Sequence, residues 1–195
     1  LALGPTPGMG LADARARVPG HDARPHDEEG EARLMSRLAR QCYQFTPMLA
    51  LDPPEGLVLD ITGCAHLFGG ERELTREAVL LMREPGLTVR HARAGTPEAA
   101  LAVARFAERR IPDETQAVHA LPLIALRQPP DVLLHLRRAG FTAIGDLAPL
   151  PAAPLAARFG RALVDALDRL LGRIDSRIIP RRPLPPIWMD RRFRE

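Results

Sequence analysis

Apolar positions recur at helical spacing over much of the chain and at strand spacing over little of it. Leu11 to Val18 is Ala- and Arg-rich and stops at Pro19-Gly20, which predicts a short helix with a C-terminal breaker. The acidic run from His21 to Glu31 reads as a loop. Glu31 to Gln44 places Leu34, Leu38 and Tyr43 near one face, an amphipathic helix closed by the turn around Thr46-Pro47. Met48 to Leu51 and Leu57 to Ile61 are short apolar runs around Asp52-Pro53-Pro54-Glu55-Gly56, a strand, a turn and a strand, since no central strand position accepts those prolines. Glu73 to Arg83 resumes helical spacing through Leu74, Ala78, Leu81 and Met82, and Leu87 to Ala94 alternates as a third strand would. Thr96-Pro97-Glu98 combines an N-cap with proline at the first helical position, opening a helix expected to reach Arg110. Helix, strand, strand, helix, strand, helix suits a split βαβ layer, an antiparallel sheet covered on one face.

From Leu121 onward only short helices are predicted. Pro130 opens one that runs to Ala139 and breaks at Gly140. Thr142 caps a second through Leu147, and Pro154 begins a third, with Leu155 and Phe159 four apart. After Gly160 a helix carries Leu163, Leu167 and Leu171 on one stripe and ends at Gly172. Two readings fit this spacing. One is an ordinary helical bundle with glycine caps. The other is a pair of helix-hairpin-helix units, in which Gly140 and Gly160 allow close approach of a phosphate to helix N-termini, flanked by Arg137, Arg138, Arg158 and Arg161. Ser176 to Glu195 is Pro- and Arg-rich with little periodicity and reads as a linker. Trp188 and Phe193 within it would stack on bases or start the first strand of a following domain.

Charge sharpens this division. The 27 basic residues are all Arg, so chemistry that needs a lysine amine is excluded. Leu121 to Glu195 holds 13 Arg against 7 acidic residues, net +6, while Leu1 to Ala120 holds 14 Arg against 17, net −3. A basic module on a slightly acidic body fits contact with phosphates, and equally a solvated Arg-rich face. No apolar run approaches the roughly 20 residues that cross a bilayer, and the first residues lack a signal-peptide pattern. A cytoplasmic protein without a membrane partner is therefore expected. Two cysteines, Cys42 and Cys64, make no disulfide framework. Together with His21, His26 and His66 they match no standard zinc spacing, so no metal or other cofactor is expected there.

Four motifs in order resemble the Y-family translesion DNA polymerases. Phe45 to Gly63, FTPMLALDPPEGLVLDITG, resembles without a gap the palm motif Y-T-P-x-V-E-P-L-S-I-D-E-A-F-L-D-L-T-G, and His66-Leu67-Phe68-Gly69-Gly70 continues the pattern. Gly8 to Arg15, GMGLADAR, is similar to the fingers motif G-M-x-L-A-E-A-R. Ala139 to Ala148, AGFTAIGDLA, is similar to the thumb's L-G-I-x-T-I-G-D-L-A, followed by Arg158-Phe159-Gly160 for R-F-G and by GRIDSRIIPRRP from Gly172 to Pro183. The resemblance implies an α+β fold: a fingers remnant over residues 1–20, a ferredoxin-like palm over 21–120, a small all-α helix-hairpin-helix thumb over 121–175, and a linker over 176–195 towards a little-finger domain. The strand bearing the family's first metal-binding acid would precede Leu1.

Departures from the family pattern carry the functional expectation. Y-family catalysis uses two metal ions, which need several carboxylates converging within a few ångströms. The family's Asp-Glu pair falls on Glu55 and Gly56, so one carboxylate of two remains and the pair is vestigial. A lone acid holds Mg²⁺ poorly. Asp52, Glu55 and Asp60 could form a surviving metal trio, but Asp60 follows the strand's alternation away from Glu55 and fits a solvated or turn-capping role better. The family lysine that contacts the triphosphate maps near Leu101. The first thumb hairpin, Gly-Val-Gly-Pro-Lys in active relatives, is Arg127-Gln128-Pro129-Pro130-Asp131 here, so it loses its glycines, and only the Arg127 charge is left to meet a phosphate.

Loss of the palm acids with D-I-T-G-x-x-x-L-F-G-G retained, and L-D-P-P-E-G-L at residues 51–57, resembles the ImuB-type subgroup of this family. That resemblance implies no polymerisation. It implies an adapter of damage-induced mutagenesis that joins damaged or primer-template DNA to an error-prone C-family replicative polymerase, a RecA-like accessory protein and the sliding clamp. The alternative is a divergent lesion-bypass polymerase using Mg²⁺ at Glu55. No catalytic residue is assigned, and DNA binding is expected at Arg137, Arg138, Gly140, Arg158, Gly160 and Arg161.

Overall fold

The computed structural model describes residues 4–6, 8–20 and 22–181, which form two compact units, Leu1–Leu34 and Met35–Glu195. In the first, helix α1 (Leu11–Arg17) follows Gly10 and ends where Val18 leaves helical geometry ahead of Pro19. Helix α2 (Glu28–Cys42) begins three residues earlier than its apolar spacing suggests. The cause is Asp27, whose Oδ1 accepts from Gly30 N at 2.8 Å and caps the helix, with Glu28, Glu29 and Glu31 favourably placed in the first turn.

In the second unit, β1 (Leu49–Asp52) and β2 (Gly56–Leu59) form an antiparallel ladder from Leu49 opposite Leu59 to Asp52 opposite Gly56. A two-stranded ladder is marginal by itself. This one is covered by α3 (Glu71–Arg83), whose Leu74 and Ala78 join Ala39, Cys42, Phe45 and Leu49 in one core. Phe68, in a 3₁₀ turn over Ala65–Phe68, meets Phe45 with ring centroids 5.5 Å apart. Residues 87–94 form no strand. Leu87, Val89, Ala92 and Ala94 are half-buried, as the alternation asks, yet the segment joins no ladder among the described residues, and a strand exists only through the neighbour it pairs with.

Helix α4 (Pro97–Phe106) opens as its sequence demands, with Thr96 Oγ1 accepting from Ala99 N at 3.1 Å and Pro97 in the first turn. It stops four residues short of Arg110 because Ala107 turns extended, where its carbonyl oxygen accepts from the Arg90 guanidinium. Helix α5 (Glu114–His119) is capped by Asp113, which accepts from Gln116 N at 2.7 Å. It carries little apolar periodicity and does not show in the pattern. A 3₁₀ turn over Leu123–Leu126 leads to α6 (Pro130–Arg138), α7 (Ile144–Leu147), α8 (Ala152–Phe159) and α9 (Arg161–Leu170).

These helices share a second core that includes Leu121, Leu136, Ile144, Leu147, Leu163 and Leu167, each at most 1% exposed. Ala99 and Ala102 of α4 belong to it as well, so α4 is packed with the helical half while its end reaches the β-turn. Two details of the helical half differ from the pattern. Thr142 does not cap α7; the carboxylate of Asp146 accepts from Thr142 N and Ala143 N at 2.7 and 2.9 Å instead. Helix α8 starts at Ala152, two residues ahead of Pro154, because a proline is tolerated within the first turn, where no intrahelical donor is needed.

After α9 the chain returns towards the sheet. Ser176 Oγ donates to Glu98 Oε1 at 2.6 Å, Tyr43 Oη donates to the Arg181 carbonyl at 2.7 Å, and Arg181 N donates to the Leu49 carbonyl at 2.8 Å. The start of the linker is thus laid against α4 and β1. Trp188 and Phe193 lie outside the described residues. No helix among the described residues is long and apolar enough to cross a membrane.

Candidate nucleic-acid interface and the adjoining β-turn

Two adjacent hairpins gather the expected DNA-binding residues. The first runs from α6 through Gly140 to α7, and the second from α8 through Gly160 to α9. Gly140 (φ +90°) and Gly160 (φ +94°) both take backbone geometry that a side chain would strain, and a Cβ at either would meet nothing within 4 Å. Both glycines are exposed among the described residues. Phe141 and Phe159 meet edge to face with centroids 6.2 Å apart and tie one hairpin to the other.

Arg137, Arg138, Arg158 and Arg161 are all exposed on these hairpins. Among the described residues, Arg137, Arg138 and Arg158 make no salt bridge. Arg158 lies over the Phe159 ring, 5.1 Å from its centroid, and Arg161 Nε pairs with Asp165 Oδ1 at 2.9 Å across one helical turn. Such an exposed i, i+4 pair is weak enough for a phosphate to compete for the guanidinium. Asp146, whose carboxyl is held below its usual range by hydrogen bonds from Thr142 and Ala143, fixes the exit of the first hairpin.

The β1–β2 turn is built differently. Pro53, Pro54 and Glu55 are exposed at its tip, with a cis peptide between the prolines, and Gly56 is buried. Asp52, at the end of β1, is enclosed by two arginines. Arg105, at the end of α4, donates from Nη1 to Oδ2 at 2.5 Å, and Arg127, just before α6, donates from Nη1 to Oδ1 at 2.7 Å. Burial alone would raise the Asp52 carboxyl, but hydrogen bonds from Arg127 and Arg105, added to their charge, hold it below the usual carboxylate range. Asp60 does not face this cluster; its Oδ1 accepts from Thr62 N at 2.9 Å and caps the turn beyond β2.

Arg127, expected to meet a phosphate by its charge, has a partner within the protein while its side chain stays 54% exposed. Its guanidinium is engaged with Asp52, and its backbone is left-handed at φ +52°, which costs a residue other than glycine about 1 kcal/mol. Arg105 escaped the sequence reading altogether. It lies one helical turn beyond half-buried Leu101, and nothing in the sequence links it to Asp52, 53 positions away.

A pair of divalent ions does not fit this turn. Glu55 is alone at an exposed tip, position 56 has no side chain, and both oxygens of Asp52 are taken by guanidinium groups. Among the described residues no group of three or more His, Cys, Asp or Glu is placed to hold a metal. Cys42 is buried, which pushes its thiol up to about 11, and His26 pairs with Glu31, its imidazole raised chiefly by that hydrogen bond. His21 lies outside the described residues.

No family model matches the chain. Protein ImuB of Caulobacter vibrioides is 38% identical over 197 aligned residues, covering 97% of this chain and 42% of that protein, in each of two strains. The chain therefore spans about two fifths of the length of the curated relatives it matches. The insertion ternary complex of Dbh DNA polymerase superposes with a TM-score of 0.73 at 18% identity, over 91% of this chain and 54% of that one. DinB from Sulfolobus solfataricus gives 0.68 at 18% identity, over 88% and 53%. The helix-rich architecture with a small antiparallel sheet agrees with these neighbours, and the chain is a homologue of part of Protein ImuB with the Y-family DNA polymerase fold.

Proposed function

We propose that this chain is part of a non-catalytic, DNA-binding adapter of damage-induced translesion synthesis. The observation that carries the reading is the β1–β2 turn: one exposed glutamate, a glycine, and an aspartate already neutralised by Arg105 and Arg127. Two-metal phosphoryl transfer needs converging carboxylates with open coordination sites, and this turn offers neither. Kinship with ImuB and the Y-family fold supports a polymerase-like protein concerned with DNA damage.

The partner is damaged or primer-template DNA, held through phosphates by Arg137, Arg138, Arg158 and Arg161 and by backbone N–H groups near Gly140 and Gly160, as helix-hairpin-helix units would hold it. Such contacts are sequence-independent and salt-sensitive. Around the DNA, the adapter would join an error-prone C-family replicative polymerase, a RecA-like accessory protein and the sliding clamp, in the cytoplasm at the nucleoid. Primer extension by the full-length protein tests the silent reading. No nucleotide is added with Mg²⁺ or Mn²⁺; extension that disappears in Glu55→Ala would overturn the proposal.

A further inference from the structure

The side chain missing at position 56 leaves room that Arg105 fills. A Cβ on Gly56 would stand 2.6 Å from Arg105 Nη2, 2.6 Å from the Asp52 carbonyl oxygen and 2.9 Å from Asp52 Cβ, closer than side chains tolerate. Arg105 holds this place with both arms of its fork, Nη1 on the Asp52 carboxylate and Nη2 on the Asp52 carbonyl oxygen at 3.3 Å. Only 19% of its side chain is exposed, so the guanidinium is part of the turn and not a surface group passing over it. The formal charges of Asp52, Glu55, Arg105 and Arg127 sum to zero, so the turn offers a divalent cation no net negative charge.

We propose that Arg105 is the resident cation of this turn: its guanidinium takes the space and supplies the positive charge that a metal would bring, so Gly56 and Arg105 are a coupled pair. The inference rests on the silent reading above and deepens it. In that reading the turn lacks an acid at position 56 and its Asp52 is neutralised. Here the vacancy is occupied, and restoring the acid alone does not restore a metal seat. A carboxylate introduced at position 56 would find a guanidinium at hydrogen-bond range and pair with it. Its oxygens would then be no more available to an ion than those of Asp52 are.

The experiment uses the full-length protein and Mn²⁺ as the probe, with free Mn²⁺ read by electron paramagnetic resonance. Gly56→Glu binds Mn²⁺ no better than the unaltered protein, and Gly56→Glu combined with Arg105→Met binds it at least about tenfold more tightly than Gly56→Glu. Equal Mn²⁺ affinity in Gly56→Glu and the combined variant, at whatever level, would overturn the proposal. Because a side chain at 56 also meets the Asp52 carbonyl, a second readout avoids that position. Asp52→Asn and Arg105→Met are placed in a thermal-unfolding cycle, where the combined variant melts no lower than the less stable single variant; additive losses of Tm would equally overturn it. Primer extension by the unaltered protein sinks the silent reading, whereas failure of either readout here, with extension still absent, sinks only the role of Arg105.

Discussion

The β1–β2 turn and the two helical hairpins both depend on arginine, and they use it in opposite ways. At the turn, Arg105 and Arg127 face a carboxylate, Arg105 from a mostly buried position and Arg127 through one nitrogen of a half-exposed side chain. At the hairpins, Arg137, Arg138 and Arg158 face solvent with no salt bridge among the described residues, beside glycines that leave the backbone approachable. The guanidinium is the same group at the same charge, always protonated. What differs is whether the fold supplies an acid within reach. A count of arginines, or the net +6 of the C-terminal stretch, cannot separate the two uses.

The largest way to break the contrast is to remove the scaffold that holds both sides. Leu163 is wholly buried in the core shared by α4 and the hairpin helices, and Leu163→Ala is expected to cost about 3 kcal/mol in denaturant unfolding. Next comes Asp52. Replacing it by Ala strands two guanidinium groups and lowers stability by about 1–2 kcal/mol, discounted because Arg127 is half exposed. The pH dependence follows from the depressed carboxyl of Asp52. Its contribution is present above the unfolded-state value and is lost as pH falls through the lower folded-state value, so the stability gap between the unaltered protein and Asp52→Asn closes in the acid range. A gap that stays constant from neutral pH down to the acid limb would show that Asp52 is not held by its arginines.

Smaller effects sharpen the open side of the contrast. Gly160→Ala places a Cβ at φ +94° and costs about 1 kcal/mol in backbone strain. As its Cβ meets no neighbour within 4 Å among the described residues, most of any loss of DNA affinity beyond that measures what approaches Gly160 from outside. Asp146→Ala, which frees Thr142 N and Ala143 N, is expected to lower Tm slightly and to loosen the first hairpin, visible as faster amide exchange at Thr142 and Ala143.

Much of the architecture was legible because local rules and tertiary packing agree. Thr96-Pro97 marks the start of α4, the stripe of Leu163 and Leu167 marks α9, and Pro53-Pro54 marks the turn, each through steric or capping rules that act within a few residues. Where the reading failed, the deciding partner was remote or absent. Residues 87–94 alternate like a strand and join no ladder among the described residues. Helix α4 ends early at a carbonyl met by Arg90, and α2 begins early through Asp27, a cap that an acidic run disguises. At the site, the glycine where the resemblance expects an acid was visible in the sequence, but Arg105 beside it was not, because its contact with Asp52 crosses 53 positions and follows no motif. Arg127 was visible as a charge, and its pairing with Asp52, 75 positions away, was not.

Duplex-DNA affinity measured across a salt series, with arginines removed from one side of the contrast at a time, tests it most directly. Replacing Arg158 and Arg161 by Ala is predicted to weaken binding several-fold and to flatten the dependence of log K on log salt by about 1–2, whereas Arg105→Met with Arg127→Ala leaves that slope unchanged. A slope that stays fixed when the hairpin arginines are removed, or falls as far when the turn arginines are, would contradict the account.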